Sequence, residues 1–538
     1  MRHMTTGGTG RETIRLPGTV TDDDDRPKGA GDLTDELIAA DVWTDAMLAA
    51  AGIPVIEVPF VTIGGGIGSF VTTDYLRIAG VPKEQIKVLG NNDRPWSTYE
   101  YLTRNSQIPR GERLRSDSAS TPDNIWGFPS YAVREALAEK GLKNKLFPLW
   151  NVLTEPIFSN YYTPKAGQAF ESMEKETARI DYYDCLVKGL VRMVRKRSDK
   201  DGVGGYFTIL TPPAGSTSTK RVAYKSRWVH IAVGYPGLKF LDDLQAYRTT
   251  YNDYTTVVNA YEPHEAIYEE LKKRPGTVIL RGGGIVASRI LQRLIDDRDA
   301  QKTDVKIVHV FRTYITGSHG PSIFMRRKGA DGWAYQGFNY PKSVWGGQLK
   351  SRMRKLEGPE RAALYKTIGG TNTPVRYSWQ EQLRRGRKEG WYQTVIGEVE
   401  SVVPAKGGGT TTRLKTKDGI VEIGATFNID GTGLEADIAE HRLLADLLEH
   451  SGAGRNPVGR LDVERDFEVR GTANGAGRIY ASGTATLGGY FPGVDTFLGL
   501  QIAAQEIGDA LAAQGFGKKI GPLRSTSQWL KWARGQKI

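Results

Sequence analysis

Short runs of apolar, often β-branched residues alternate along this chain with glycine-containing turns and with stretches that suit a helix. Residues 55–63 read VIEVPFVTI and run directly into the turn Gly64-Gly65-Gly66-Ile67-Gly68-Ser69. Helix-compatible sequence then continues to about Ile78, and a second apolar run covers residues 86–89. This succession predicts strand, turn, helix and strand, which is the βαβ unit that opens a dinucleotide-binding fold.

The same succession returns in the second half of the chain. It predicts a strand at 277–280, the turn Gly282-Gly283-Gly284-Ile285-Val286-Ala287, a helix at 288–294 and a strand at 305–311. Further short strands that end in glycine turns are predicted at 228–234, 427–433 and 478–484. We therefore expect an α/β protein with two Rossmann-like dinucleotide-binding domains, the second inserted in the first.

The predicted domain boundaries follow from these two units. Residues 1–51 form an N-terminal tail and a short amphipathic helix at 34–51. Residues 52–240 and 405–538 form the first nucleotide-binding domain, and residues 241–404 form the second, with an aromatic-rich insertion. No charged region followed by an apolar run opens the sequence, so we expect no secretory signal and a cytoplasmic protein.

Composition excludes several classes of protein. The 538 residues contain one cysteine, Cys185, and seven histidines, which excludes a disulfide scaffold, a thiolate zinc site and an internal dithiol enzyme. No HxxxH spacing suggests a metal site, and no apolar run reaches the roughly 18 residues of a membrane span. The net charge is +12, and its basic clusters at 192–200, 350–355 and 384–388 favour solvated helix faces over a nucleic-acid surface.

Glycine in the first turn lets the backbone approach a pyrophosphate at the free N–H groups of the following helix. Gly64 and Gly66 occupy the first two positions of the fingerprint, and Ser69, with Gly68 beside it, occupies the third. An ordinary βα turn is the alternative. The acidic residue expected on the ribose is absent at Gly90, so either Asp93 or the side chains of Asn91 and Asn92 take its place.

The second unit carries a different signal at the same position. Its turn offers Gly282, Gly284 and Ala287 to a nucleotide, and its second strand ends in Arg312 rather than in a carboxylate. Because arginine complements a 2′-phosphate, this pattern favours NADP over NAD. A solvent-facing strand end is the alternative interpretation of Arg312.

Taken in order, these segments resemble the flavoproteins with two dinucleotide-binding domains, and among them the flavin-containing and amine N-hydroxylating (class B) monooxygenases. The resemblance rests on GGGIGS, IAVGYPG at 231–237, VVNAYEPHEAI at 257–267, GGGIVAS, NIDGTGL at 428–434 and IYASGTATLGGYFPGVDTFLGLQ at 479–501. It implies that the first domain binds FAD and the second binds NADPH. It also implies that the closing segment contacts the flavin, with Gly483, Thr484, Asp495 and Thr496 as candidates. Thr484 stands where an acidic residue is commoner.

A helix is predicted from about Thr496 to Ala513, and we favour Asp495 as its N-cap over Asp495 as a flavin contact. The aromatic stretch at 322–391 suits a substrate wall, buried packing or an oligomer interface, and the resemblance places an apolar wall near the flavin at 125–131. His264, His319 and Cys185 are expected to be structural residues. The sequence names no catalytic residue.

The resemblance implies an NADPH-dependent FAD monooxygenase, in which a flavin C4a-(hydro)peroxide transfers one oxygen atom to a small organic substrate. The alternatives are an NAD(P)H-dependent flavin oxidoreductase with another electron acceptor and a non-catalytic flavin-binding protein. The expected partners are a small-molecule substrate and oxygen, without nucleic acid or a membrane span, and a homo-oligomer stays open.

Overall fold

A computed structural model of the chain describes residues 14–15, 29–114, 120–154, 162–198, 204–213, 216, 220–312, 348–368 and 377–538. Its strands are β1 (Ile14–Arg15), β2 (Val42–Trp43), β3 (Val55–Glu57), β4 (Phe60–Ile63), β5 (Ile86–Gly90), β6 (Leu186–Lys188), β7 (Leu190–Arg197), β8 (Tyr206–Thr211), β9 (Val222–Ser226), β10 (Trp228–Ile231), β11 (Gly237–Leu238), β12 (Val257–Asn259), β13 (Thr277–Arg281), β14 (Lys306–Phe311), β15 (Tyr392–Ile396), β16 (Glu398–Pro404), β17 (Thr410–Thr416), β18 (Gly419–Ala425), β19 (Phe427–Asp430), β20 (Leu434–Glu435) and β21 (Arg478–Ala481). Its α-helices are α1 (Asp35–Ala39), α2 (Asp45–Ala50), α3 (Ile67–Ile78), α4 (Ser97–Asn105), α5 (Ser130–Ala138), α6 (Leu142–Thr154), α7 (Ala166–Arg179), α8 (Tyr182–Cys185), α9 (Asp242–Tyr251), α10 (Glu265–Lys273), α11 (Ile285–Gln301), α12 (Gln348–Lys355), α13 (Gly358–Ile368), α14 (Tyr377–Glu389), α15 (Arg442–His450), α16 (Phe497–Ala513) and α17 (Pro522–Ala533).

The first nucleotide-binding unit is built on a parallel five-stranded sheet. The strand order is β21-β10-β4-β5-β6, so the strand before the first glycine turn lies at the centre. All four residues of β4 are buried, because helices cover one face of the sheet and the meander of β7, β8 and β9 packs on the other. Helices α3 and α16 pack on this sheet, and their apolar side chains belong to one core with Phe60, Val88 and Tyr480.

The second unit repeats this plan. Its sheet has the order β12-β19-β13-β14-β15, again parallel, with the strand before the second glycine turn at the centre. Helix α11 packs its apolar residues against this sheet in a separate core. The predicted α/β fold with two Rossmann-like domains is confirmed.

One predicted boundary is wrong in detail. We placed the return to the first domain at residue 405, but β19 pairs with β12 and β13 and completes the second sheet. The chain rejoins the first sheet only at β21. The reason is that the three antiparallel strands β16, β17 and β18 are inserted between β15 and β19. The last strand of the second sheet therefore comes later in the sequence than predicted.

Each unit carries an antiparallel meander at the same point of its plan. Strands β7, β8 and β9 follow β6 in the first unit, and β16, β17 and β18 follow β15 in the second. The chain passes from the first unit to the second at β11 and returns at β20. These two short strands pair antiparallel, with Gly237 opposite Glu435. Strand β1 adds to the other side of β11.

The region before the first sheet differs from the predicted single helix at 34–51. Two short helices, α1 and α2, flank β2, which pairs with β7 of the first meander. Thr34 and Thr44 each cap one helix, and the indole N–H of the fully buried Trp43 donates to the carbonyl oxygen of Leu37 at 2.8 Å. The predicted strand at 55–63 is likewise two strands, because β3 pairs with β9 while β4 enters the parallel sheet.

Helices α12 and α13 fasten the second unit's insertion to the first unit. Arg361 of α13 is buried, its guanidinium lies 3.9 Å from the ring centroid of Tyr490, and it donates to the carbonyl oxygen of Gly488 at 3.1 Å. Glu357 accepts a hydrogen bond from the Tyr490 hydroxyl. Arg354 forms an ion pair with Glu506 of α16. In the part of the chain that is described, no helix is long and apolar enough to cross a membrane.

Candidate active site

The first glycine turn leaves no room for side chains on its sheet side. Gly64 has a φ of 129°, and a Cβ there would collide with the carbonyl oxygen of Ala232 at the end of the neighbouring strand. The backbone amide of Gly64 donates to the carbonyl oxygen of Leu89 at 2.8 Å. The turn is therefore held directly against β5 and the segment after β10, which brings its backbone to the carboxyl edge of the sheet.

The side of the turn that faces away from the sheet is open. Gly66 is the N-cap of α3, it provides no capping side chain, and the first turn of α3 contains no acidic residue. A Cβ on Gly66 would come no nearer than 3.8 Å to another described atom, the amide nitrogen of Asn92. The free N–H groups and the positive end of a 12-residue helix thus face space that suits an anion, and this cradle fits the pyrophosphate of a dinucleotide.

At Gly68 and Ser69 the side-chain positions face the protein, while their backbone N–H groups belong to the free first turn of α3. A Cβ on Gly68 would lie 2.9 Å from the Cβ of Ala232, and Ser69 is fully buried. The Ser69 hydroxyl begins a buried chain of hydrogen bonds that crosses the sheet. Thr62 contacts Ser69 at 3.0 Å and the Nδ1 of His230 at 2.9 Å, and the Nε2 of His230 contacts the Ser482 hydroxyl at 2.9 Å.

Burial lowers the pKa of His230 to about 3, so the imidazole is neutral. A neutral imidazole can donate from one nitrogen and accept at the other, which lets it join two hydroxyl groups without a buried charge. These hydrogen bonds connect the glycine turn to the segment after β21. In that segment Gly483 and Thr484 begin a short 3-10 helix. His230 could not be predicted from the sequence, where it is marked only by its place in an apolar strand.

The end of β5 explains the missing ribose carboxylate. Gly90 lies against the turn so closely that a Cβ would be 2.7 Å from the Cα of Gly65, so no side chain fits there. Asp93 is exposed and forms an ion pair with Lys188 at 2.7 Å, which lowers its pKa. Asn92 lies beside the cradle and Asn91 is half-buried. The geometry therefore favours Asn92 over Asp93 as the residue nearest a bound nucleotide.

The second glycine turn has the same geometry. Gly282 has a φ of 115°, and a Cβ on it would be 2.5 Å from the carbonyl oxygen of Gly431. Gly284 is the N-cap of the 17-residue α11, without a capping side chain or a first-turn acid, and a Cβ on it would meet nothing within 4 Å. Ala287 is fully buried and packs under Gly431. A second open cradle for phosphate results, and it too fits a dinucleotide.

Arg312 follows β14 directly and its side chain is exposed. It lies at the carboxyl end of the strand next to β13, the edge at which the ribose of a nucleotide lies in this type of sheet. The buried His309 on β14 instead contacts the carbonyl oxygen of Gly282 at 2.7 Å and supports the turn from below. Burial lowers the pKa of His309 to about 4.

The closing segment corrects one expectation. Thr496, not Asp495, caps α16, because its hydroxyl oxygen accepts a hydrogen bond from the amide of Gly499 at 3.0 Å. Asp495 accepts a hydrogen bond from the hydroxyl of Tyr235 at 3.1 Å instead. Threonine reaches the third N–H of a helix as well as aspartate does, so the capping preference alone could not separate the two neighbours.

Asp495 faces a recess where the two units meet. Its carboxylate interacts electrostatically with Tyr235 of the first crossing, Tyr261 after β12 and Tyr365 of α13. Asp495 is exposed to solvent, yet the surrounding protein raises its pKa. Among the described residues it has no cationic partner. These four residues are called the Asp495 recess below.

The tyrosines of the Asp495 recess were not predicted from the sequence. Tyr235 and Tyr261 lie in segments that carried the family resemblance, GYPG and NAYEP, so their position after a strand was a usable signal. Tyr365 had no comparable signal, because only the docking of α13 brings it to Asp495. Burial raises the pKa of Tyr365 to about 12 and keeps its hydroxyl protonated.

Other candidates have structural roles or lie outside the described residues. Trp391 is buried in the second core, with the guanidinium of Arg298 4.7 Å from its ring centroid. His264 is buried and contacts the Tyr268 hydroxyl at 3.0 Å, and burial raises the pKa of the Cys185 thiol to about 11. The side chains of Trp333, Tyr335, Phe338, Tyr340, Trp345, Tyr377 and Trp379, and residue His319, lie outside the described part.

The loop at 125–131 packs toward the C-terminal helix. Trp126 contacts Trp532 with ring centroids 5.3 Å apart, and Phe128 contacts Trp529 at 5.8 Å. Gln501 of α16 binds the loop from the other side by donating to the carbonyl oxygen of Asn124 at 2.7 Å. The described residues contain no cluster of histidine, cysteine and acidic side chains that could hold a metal ion.

No protein-family model matches the chain, and no curated protein matches it in sequence. Solved structures match its fold. An ornithine hydroxylase from Pseudomonas aeruginosa is 15% identical, with a TM-score of 0.59 over 85% of this chain and 99% of that one. An ornithine N-hydroxylase from Kutzneria sp. 744, described with reduced FAD, NADP⁺ and L-ornithine, is 12% identical, with a TM-score of 0.57 over 86% and 100%. An FAD-bound cadaverine monooxygenase from Erwinia amylovora is 14% identical, with a TM-score of 0.57 over 84% and 94%. At these identities the likeness establishes the shared fold.

Proposed function

We propose that the chain is an NADPH-dependent FAD monooxygenase that transfers one oxygen atom to a small organic substrate. The observation that carries the proposal is the pair of open, uncapped glycine cradles, one in each parallel sheet, with the Asp495 recess between the two units. One cradle suits a bound redox cofactor and the other its nucleotide reductant. The fold shared with structures named as hydroxylases and monooxygenases supports this assignment.

In the first unit, Gly64, Gly66 and Asn92 would hold the pyrophosphate and ribose of FAD, and the segment with Gly483, Thr484 and Thr496 would lie along its flavin end. In the second, Gly282, Gly284 and Arg312 would hold NADPH. When bound, the flavin supplies hydride acceptance from NADPH and oxygen activation, chemistry that no side chain of the chain provides.

The residues of the chain position and shield the reacting groups. The N-termini of α3 and α11 stabilise phosphate charge with free N–H groups and the helix dipole. The Ser69–Thr62–His230–Ser482 chain holds the glycine turn and the closing segment in a fixed relation without a titrating group at neutral pH. Tyr235, Tyr261 and Tyr365 line the recess with aromatic rings that a substrate can pack against.

A small amine is the proposed substrate class. Asp495 is a carboxylate in a partly enclosed recess without a cationic partner among the residues described, and tyrosine rings surround it. An ammonium group would satisfy that carboxylate and gain from the aromatic faces. The neighbouring structures named for ornithine and cadaverine agree with such a substrate. A disulfide substrate is disfavoured, because the chain's only cysteine is buried and its thiol pKa is raised.

The test begins with the purified protein reconstituted with FAD. NADPH added without oxygen should bleach the flavin absorbance, and oxygen added afterwards should restore it. With ornithine, lysine or cadaverine present, oxygen uptake should be matched by a product heavier by one oxygen atom in mass spectrometry. Flavin reduction and reoxidation without any oxygenated product from a panel of amines, thioethers and ketones would leave an oxidoreductase with another acceptor.

A further inference from the structure

Helices α5 and α6 form a hairpin, and a row of exposed apolar side chains runs along α6 from the tip toward the base. Leu142, Leu146, Trp150 and Leu153 follow one face of α6 at helical spacing, and their side chains are 74%, 53%, 57% and 80% exposed. Phe147 beside them is 62% exposed. Apolar side chains of this size scattered singly need no explanation, but a contiguous row of them marks an interaction surface.

The tip is convex. Every residue from 137 to 147 is exposed, so the end of α5, the turn and the first half of α6 project from the body of the protein. Only the second half of α6 is anchored, through the buried Pro148 and Thr154. A projecting tip of this kind can place its apolar side chains in a lipid interface.

The charges around the tip are mostly positive. Lys140, Lys143 and Lys145 are exposed, and none of them has an ionic partner among the residues that the structure describes. Glu139 is the only acidic residue between 137 and 154. At the base of the hairpin, Phe128 contacts Trp529 of α17, and residues 515–538 contain lysines and arginines but no acidic residue. The surface next to the apolar row is therefore basic.

We propose that the α5–α6 hairpin docks this protein on an anionic lipid surface, with Leu142, Leu146, Phe147, Trp150 and Leu153 in the headgroup boundary. Amphipathic helices that lie in a membrane interface combine bulky apolar residues with lysines in this way, and tryptophan suits that depth. At 13 residues, α6 is too short to span a bilayer. A second copy of the chain is the less favourable occupant, because it would bring one basic surface toward another, whereas an anionic lipid surface complements the lysines.

The proposal is independent of the enzymatic function, so its test measures binding alone. The full-length protein is sedimented with vesicles of phosphatidylcholine containing phosphatidylglycerol, and with vesicles of phosphatidylcholine alone. We expect binding to the anionic vesicles that falls as the salt concentration rises. The double variant Leu146→Glu/Trp150→Glu should lose at least tenfold in vesicle affinity, and Lys143→Glu/Lys145→Glu at least fivefold, since each lysine near such a surface contributes about fivefold.

Two matched control variants lie on the second meander, away from the hairpin. Ile420→Glu/Val421→Glu replaces side chains that are 52% and 41% exposed, and Lys406→Glu/Lys417→Glu reverses two exposed lysines. Both should bind vesicles like the parent protein. Equal effects of hairpin and control variants, or no binding to anionic vesicles, would overturn the proposal. So would a stable dimer in sedimentation velocity that Leu146→Glu/Trp150→Glu converts to monomer while vesicle binding is unchanged, because the row would then be a contact between copies.

Discussion

Gly66 and Gly284 occupy equivalent places, and in both a side chain would enter open space rather than the protein. Replacing Gly66 with valine should therefore preserve the fold and fill the first cradle, so that the purified protein loses its flavin absorbance. Gly284→Val should keep the flavin and lose reduction by NADPH. Circular dichroism and thermal unfolding serve as controls for folding. A yellow Gly66→Val protein with one flavin per chain would remove FAD from the first unit.

Arg312 should decide between the two nicotinamide nucleotides. It is exposed at the end of β14, and only NADPH carries the 2′-phosphate that it would bind. Loss of such a charge-assisted contact is worth roughly 1.5–3 kcal/mol, so Arg312→Ala should raise the KM for NADPH about ten- to hundredfold and leave that for NADH nearly unchanged. Lys306→Ala, an exposed cation at the other end of the same strand, is the matched control. Equal effects on both nucleotides would argue against Arg312.

Thr496 caps α16, so the carboxylate of Asp495 is not used in capping. We therefore expect its negative charge to act on groups bound in the recess. If the proposed flavin lies at this recess, Asp495→Asn removes a negative charge that opposes reduction, and the flavin potential should rise. An interaction of about 1–2 kcal/mol corresponds to about 20–45 mV for two electrons. A redox titration measures the change, and Asp509→Asn, on the far part of α16, is the control. An unchanged potential together with a raised KM for the amine would place Asp495 on the substrate alone.

At this scale the sequence predicted the backbone positions and missed the side-chain partners. Gly64, Gly66, Gly282 and Gly284 could be predicted because their role depends on local turn geometry, which the neighbouring residues define. The sequence shows that a carboxylate is absent at Gly90 but not why, since the cause is the approach of Gly65 in the glycine turn after the neighbouring strand. Tyr365 could not be predicted, because only tertiary docking brings it to Asp495.

Between elements, the contact of α3 and α7 encloses acidic side chains that water does not reach. Asp74 and Glu176 lie with Arg179 in this contact, and Asp123 from the preceding loop accepts a hydrogen bond from the Tyr131 hydroxyl at 2.6 Å. Burial raises the pKa of Asp123 to about 6 and holds the pKa of Asp74 well above its usual range. The folded protein thus binds protons here that the unfolded chain releases.

When folding raises the pKa of a carboxyl group, the free energy of unfolding falls as the pH rises. The fall begins near pH 4, the pKa in the unfolded chain, and is complete above the pKa in the folded protein. For Asp123 the full effect is on the order of 3 kcal/mol. Asp123→Asn, which keeps the acceptor for Tyr131, should lose this pH dependence and unfold at a higher temperature than the parent above about pH 7. Thermal unfolding from pH 5 to pH 8 measures it. The control is Asp93→Asn, which removes an exposed carboxyl that pairs with Lys188. Apart from the contribution of that ion pair, its unfolding temperature should depend on pH as in the parent protein.

Element by element, long periodic segments were predictable and the exchange between sheets was not. The prediction of α16 ends at the observed residue, Ala513, and β5 differs from the prediction only by Gly90. The single strand at 55–63 became two, because Val58 and Pro59 transfer the chain from the meander to the parallel sheet. A local pattern shows that a segment is extended, but it does not show which sheet will accept its hydrogen bonds.

For the molecule as a whole, Arg361 fastens the second unit's insertion to the first unit. Its guanidinium is buried and stacks on Tyr490. Arg361→Ala should therefore lower the free energy of unfolding by roughly 2 kcal/mol or more and detach α13 from the first unit. Limited proteolysis should then cut near α13 faster than in the parent. Tyr365 would leave the Asp495 recess, so the KM for substrate should rise while flavin content stays constant. Arg413→Ala, an exposed arginine on β17, is the control. Unchanged proteolysis and KM would show that other contacts hold α13.

The position of β21 has a consequence for how the protein is made. The sheet of the second unit is complete once residue 430 has been synthesised, whereas the sheet of the first unit waits for residues 478–481. A ribosome that releases the chain from its N-terminus therefore presents a finished inner domain before the outer one can close. Until β21 is synthesised, β10 pairs with β4 on one side only, and its other edge is unpaired. An unpaired strand edge of the nascent chain can pair with another chain and cause aggregation. Expression at low temperature or with a chaperone that shields such edges should therefore raise the yield of this protein more than that of a flavoprotein whose domains follow one another along the chain.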